Sequence, residues 1–148
     1  MSGKRVIQAI AAASLLLGFG WHGAAAQTGT EQAFTLELNA ATEANVGSCR
    51  LTYVAENDSD IPLERTEYEV AIFDDKGVVS RILVLKFGAL VEGKTKILQF
   101  DLSGTSCDSI SRIVVNDSAA CLTRDGGESD FCMSGIKPSS RTPIDFGI

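Results

Sequence analysis

Four cysteines, Cys49, Cys107, Cys121 and Cys132, constrain what this chain can fold into more than any other feature. Their spacings contain no C-x-x-C pair, which removes the usual redox motif. A zinc site would have to gather four thiolates with no close pair among them. An even count in a small chain reads instead as two disulfides, with three connectivities open at this point. Disulfides persist where thiols are oxidised, so the cysteines ask for an exported protein.

The first residues answer that demand. Lys4 and Arg5 form a short positive segment, and residues 6–19 hold only Gln8 and Ser14 as polar positions. The small residues Ala24-Ala25-Ala26 follow, so residues 1–26 read as a signal peptide cleaved before Gln27. The apolar run falls short of the roughly 20 residues of a permanent span, although an uncleaved anchor is the alternative. No Cys stands at the cleavage point, which argues against a lipoprotein. Lys4-Arg5 is not a twin-arginine pair, which favours Sec-type export. The expectation is a single β-sandwich domain over 27–148, periplasmic or secreted, with no membrane insertion after cleavage.

Removing the signal changes the chemistry. The mature part keeps 11 of the 13 basic residues and all 19 acidic ones, a net charge of −8. That balance argues against nucleic acid or anionic lipid as a partner and suits a basic protein, a cation or a simply solubilised surface. Cleavage also removes Trp21 and His22, the only Trp and the only His. Without histidine there is no Ser-His-Asp triad, no Cys-His dyad and no imidazole metal ligand. The reading is therefore non-enzymatic, with no catalytic residues, no metal and no cofactor.

Alternation of apolar and polar residues predicts strands over 33–40, 49–56, 66–73, 78–87, 96–102, 110–115 and 143–148. The fourth is apolar on both faces apart from Ser80, Arg81 and Lys86. Asp74-Asp75-Lys76-Gly77 reads as a hairpin turn. Residues 119–142, rich in Gly, Ser, Asp and Arg, read as one long loop. These elements predict an all-β fold, an immunoglobulin-like antiparallel β-sandwich of about seven strands with two disulfides.

In that sandwich Cys107 and Cys121 flank one short strand, too far apart to bridge. The second and sixth strands run the same way in opposite sheets, with Cys49 and Cys107 at the same end. The expected pairs are Cys49–Cys107 and Cys121–Cys132, worth roughly 4 and 3 kcal/mol on chain entropy. The first should be the structural bridge and the second a staple whose loss mainly loosens the long loop.

The stretches Cys49-Arg50-Leu51-Thr52-Tyr53, Phe73-Asp74-Asp75-Lys76-Gly77, Leu85-Lys86-Phe87-Gly88, Gln99-Phe100-Asp101-Leu102 and Ser140-Arg141-Thr142 carry a resemblance. Through them the chain is similar to small exported bacterial proteins with an immunoglobulin-like β-sandwich. That group has no established activity and is often labelled only by a Tat-type signal sequence. The motifs are strand and turn patterns spread over most of the mature part. The resemblance implies the fold and the compartment and transfers no site residues. The n-region here departs from the label by lacking Arg-Arg.

Several clusters invite a functional reading. Asp125-Gly126-Gly127-Glu128-Ser129-Asp130 and Glu56-Asn57-Asp58-Ser59-Asp60 are oxygen-rich, yet neither follows the EF-hand spacing. Glu67 and Glu69 share a strand face at a separation a glycosidase pair would need, but such alternation is ordinary on a half-buried strand. Asn57-Asp58-Ser59 and Asn116-Asp117-Ser118 match the glycosylation sequon. Arg124, Lys137 and Arg141 lie in and around the long loop. Two functions remain: a non-catalytic binding or structural module of the envelope, gripping a protein or a glycan, or a secreted acidic inhibitor of a basic, lysozyme-like enzyme. N-terminal sequencing of the exported protein should begin within about three residues of Gln27. A full-length N-terminus in the membrane fraction would refute this.

Overall fold

The computed structural model describes residues 33–45 and 47–148, so the expected signal over 1–26 lies outside the described residues. Among the described residues eight strands form two sheets. They are β1 (Ala33–Asn45), β2 (Ser48–Asp58), β3 (Leu63–Asp74), β4 (Val79–Leu90), β5 (Lys94–Ser103), β6 (Ile110–Thr123), β7 (Ile136–Ser140) and β8 (Asp145–Gly147). A 3-10 turn (Cys107–Ser109) precedes β6, and one short helix, α1 (Phe131–Ser134), follows it. The first sheet has the order β5-β2-β1-β7 and the second β4-β3-β6-β8. Strands 1, 2 and 5 thus share one sheet while 3, 4 and 6 share the other, the immunoglobulin-like partition.

The alternation in the sequence sets which side chains meet between the sheets. On β2, Cys49, Leu51, Tyr53 and Ala55 are buried while Arg50, Thr52 and Val54 face out. Tyr53 lies at the centre of an aromatic cluster, with ring centroids 5.8 Å from Phe87, 6.0 Å from Phe100 and 5.3 Å from Phe146. Those rings come from β2, β4, β5 and β8, so one cluster ties both sheets. Tyr68 extends it from β3, packing on Phe87 and on Phe34.

Two expectations need correction. The sandwich is not wholly antiparallel: β7 runs parallel to β1, and β8 parallel to β6. After β6 the chain crosses to the outer edge of the first sheet, reverses at 141–144 and returns to the second, closing that side. In addition, 119–142 is not one loop. The strand expected over 110–115 continues to Thr123 through two bulges, because Tyr68 pairs with Ser118 after Glu67 with Ala120, and Val70 with Val115 after Glu69 with Asp117. Ala119 and Asn116 are the inserted residues, and they break the alternation that reveals a strand. Residues 136–140 add β7, where Pro138 is tolerated because the strand lies at a sheet edge.

The disulfides join Cys49 to Cys107 and Cys121 to Cys132, the pairing expected from strand order. The second bridge differs in character from the expected loop staple. Cys121 lies inside β6 facing inward, Cys132 is fully buried, and both belong to the core. The bridge holds α1 against β6, with Phe131 buried beside it. A Cβ on Gly135 would lie 2.3 Å from the Phe131 ring, so this turn accepts no side chain there. Losing the second bridge would therefore open the core, besides removing roughly 3 kcal/mol of loop entropy.

Two buried phenols give a test with opposite signs. The Tyr68 hydroxyl donates to the Cys132 carbonyl at 2.7 Å, whereas the Tyr53 hydroxyl is buried with no protein partner among the described residues. Burial pushes both phenols far above their ordinary range. Tyr68→Phe leaves a buried carbonyl unpaired and should cost about 1–3 kcal/mol. Tyr53→Phe removes only an unsatisfied group and should leave stability unchanged or raised. Urea unfolding followed by circular dichroism would compare the two.

Candidate functional site

The two outer faces of the sandwich differ in chemistry. Rows across the first sheet read Thr95–Glu56–Thr35–Lys137, Ile97–Val54–Glu37–Ser139 and Asp101–Arg50–Thr42. Apart from Ile97 and Val54 these are polar, and they are tied by ion pairs. Arg50 grips Asp101 with two nitrogens at 2.7 and 2.8 Å. Arg141 meets Glu37 at 2.8 Å. This face is an ordinary solvated surface.

The second sheet carries an apolar stripe. The row Ile82–Ala71–Val114–Gly147 crosses all four strands without a polar side chain. Val84 adjoins it above Glu69, and below it Val79 pairs with Phe73. Arg112 lies over the Phe73 ring at 4.2 Å, extending that apolar surface with the flat side of its guanidinium. Ile82 is 58% exposed, Val84 41% and Val79 45%. Carboxylates border the stripe: Glu69 and Asp117 occupy the adjoining row, and Asp145 stands opposite Arg112. The arrangement is an apolar centre with a mainly acidic margin that also holds Arg112 and Lys86.

The candidates singled out from sequence are dispersed by the fold. In the 125–130 segment the Thr123 hydroxyl donates to Asp125, and Thr123 and Gly127 close the turn through their backbones. Hydrogen bonds from Thr123 and from the Gly127 amide hold the Asp125 carboxyl below its usual range. Its oxygens thus serve the turn. Among the described residues no three carboxylate or thiolate side chains gather as metal ligands would.

Asn57 is fully buried, and its amide donates to the carbonyls of Ile61 and Leu90, each at 2.8 Å. It fastens the end of β2 to the end of β4, so this sequon holds a structural amide that no glycan can reach. Asn116 is exposed and donates to Glu69 at 2.6 Å. Glu67 and Glu69 do share the outer face of β3, as expected. The hydrogen bond from Arg65 lowers the Glu67 pKa, with Arg65 and Lys86 adding to it against a partial burial cost. A carboxyl held ionised is a poor general acid. Arg124 lies in the turn after β6, whereas Lys137 and Arg141 lie on or just beyond β7, so the three make no single site.

A shallow recess of about 290 Å³ lies by the Cys49–Cys107 bridge, lined by Ala41, Cys107, Asp108, Ile110, Pro143 and Ile144. It sits at the bottom of the size range of small-molecule sites and holds one carboxylate as its only charged group. The apolar stripe is the stronger site. Sequence reading did not find it, although the two-sided apolar character of 78–87 was its signal.

Among solved structures the chain is similar to IrmA from Escherichia coli, with a TM-score of 0.55 at 9% identity over 72% of this chain and 91% of that chain. At that identity the likeness is one of fold. No protein-family model and no curated protein matches the chain.

Four carboxyls with lowered pKa set a pH dependence. They are Glu37 (from Asn39, then Arg141), Glu67 (from Arg65), Asp101 (from Arg50) and Asp125 (from Thr123). Folded values below unfolded ones contribute stability that is complete above the ordinary carboxylate range and is lost as pH falls through the folded values. The melting temperature should hold from pH 7 to about 5 and then fall towards about pH 2. Glu67→Gln should shallow that acid limb in thermal melts; an unchanged limb would remove Glu67 from the account.

Proposed function

We propose that this chain is an exported, non-catalytic binding module whose second-sheet outer face receives another protein. The observation that carries the reading is the contrast between its two faces. A sandwich that met only water would be largely polar on both outer faces, as the first sheet is apart from the single pair Ile97 and Val54. The second keeps Ile82, Val84, Ala71 and Val114 in one continuous surface. The disulfides fit an oxidising compartment, so the partner belongs to the periplasm or the exterior.

The acidic margin supports a second reading, an inhibitor that caps a basic enzyme. Glu69, Asp117 and Asp145 border the stripe, and the mature net charge of −8 would steer a cationic partner towards it. Salt separates the two readings. Capture through the apolar stripe survives high salt, whereas capture dominated by the carboxylates is lost within a few hundred millimolar.

The test is a pulldown from envelope extract with residues 27–148, which contain every described element. Val114→Arg places a charge in the middle of the stripe, and Thr52→Arg does the same on the polar face. Val114→Arg should reduce capture at least about tenfold, a loss of about 1.4 kcal/mol or more, while Thr52→Arg leaves it unchanged. Equal capture by both variants would refute the assignment of the face.

A further inference from the structure

We propose that two copies of this chain associate through the edge of β4, pairing antiparallel to join their second sheets into one. This inference rests on the edge backbone of β4 together with Ile82 and Val84, which also belong to the binding stripe; pairing edge to edge extends that stripe without covering it, so a monomeric result would leave the reading above intact.

A strand apolar on both faces belongs in the middle of a sheet, covered on each side. Here such a strand stands at the edge. β4 is the last strand of the second sheet and has a neighbour on one side only, β3. Its run Val79-Ser80-Arg81-Ile82-Leu83-Val84-Leu85-Lys86 is rich in β-branched residues and holds no Pro or acid. Exposed edges are ordinarily blunted by charge, proline or a bulge. The structure protects one part of β4 in this way. The Lys96 ammonium reaches across from β5 to the carbonyls of Phe87 at 2.6 Å and Ala89 at 3.3 Å. Gly88, at φ +68°, marks the register shift there. At the opposite end the Asp74 carboxylate closes the hairpin by accepting from the amides of Lys76 and Val78. A further register shift leaves Ser80 as the inserted residue between Val79 and Arg81, so the open, regular edge between these ends is 81–86. The Arg81 side chain points away from it, donating to the Ser103 carbonyl at 3.1 Å.

The occupant that fits this window is a second copy of the window. Two strands related by a twofold axis normal to the sheet pair with matching faces only when the axis passes a residue, since a one-residue slip turns every side chain over. An axis at Leu83 sets Ile82 opposite Val84 of the second copy and Val84 opposite its Ile82. Four exposed apolar side chains then form one quartet on the outer face. In the same register Arg81 stands opposite Leu85 and Lys86 falls at the bulged Ser80, so no like charges face each other. An axis at Ile82 would leave Val84 against Ser80, and one at Val84 would leave Ile82 against Lys86. The Leu83 axis also ends the pairing at Lys86, just before the carbonyls that Lys96 covers.

Sedimentation equilibrium on residues 27–148 should show the weight-average mass rising towards twice the monomer value with concentration. Val84→Lys should return the protein to monomer at every concentration. Register is read by Leu83→Cys, which places two thiols directly opposite each other and should give a disulfide-linked dimer on mild oxidation. Ile82→Cys places them two positions out of line, beyond the reach of a bridge, and should give none. Peptide mapping of Cys49–Cys107 and Cys121–Cys132 in each variant checks that the fold is kept. A monomer at all concentrations, a dimer indifferent to Val84→Lys, or equal cross-linking by the two cysteine variants would each overturn the proposal.

Discussion

Everything in this sandwich depends on the contact of Tyr53 with the rings around it. Tyr53 projects from the second strand of one sheet and meets Phe87 and Phe146 from the other, with Phe100 from its own. Each edge-to-face pair adds roughly 0.5–1.5 kcal/mol beyond the area it buries, and together they set the spacing of the sheets. The Cys49–Cys107 bridge holds one end of this column, and the buried Asn57 amide fastens the ends of β2 and β4. With the inner faces so committed, the chemistry that varies lies on the outer faces and the edges.

Much of the fold was legible because the core obeys a period of two. The inward residues of β2, Cys49, Leu51, Tyr53 and Ala55, alternate in sequence just as they do in space. The turn at Asp74-Asp75-Lys76-Gly77 was equally open to reading, with Asp74 accepting from two amides and Gly77 at φ +75°. What stayed hidden breaks that period. The far half of β6 carries the insertions Asn116 and Ala119, and β7 is a short edge strand of Lys, Pro and Ser between two longer-range crossings. Parallel pairing to β1 and β6 follows from where the chain travels after α1, which no local pattern encodes.

The candidate site was harder to see for a different reason. Oxygen-rich loops draw attention in a sequence, but Asp125 spends its polar atoms on its own turn and Asn57 on its turn and the end of β4. The surface that is chemically unusual consists of ordinary residues, Ala71, Ile82 and Val114, whose meaning lies in being neighbours across three strands. Apolar residues at 82 and 84 are visible in the sequence as a violation of alternation. That they face water at an edge, rather than a covering helix, is visible only in the topology.

The parallel pairing of β1 with β7 has a consequence for how the protein matures. Phe34 pairs with Ile136, and Arg112 with Asp145. A chain made from its N-terminus delivers β1 first and must wait for β7 to cover its outer edge. During that interval Cys49 and Cys107 are available for bonding while Cys132 is still to come, so vectorial emergence favours the correct first pair. Both sheets are completed by the segment that arrives after α1. The native state is therefore reached only once the last residues of the chain are in place, and both sheets keep an open edge until then.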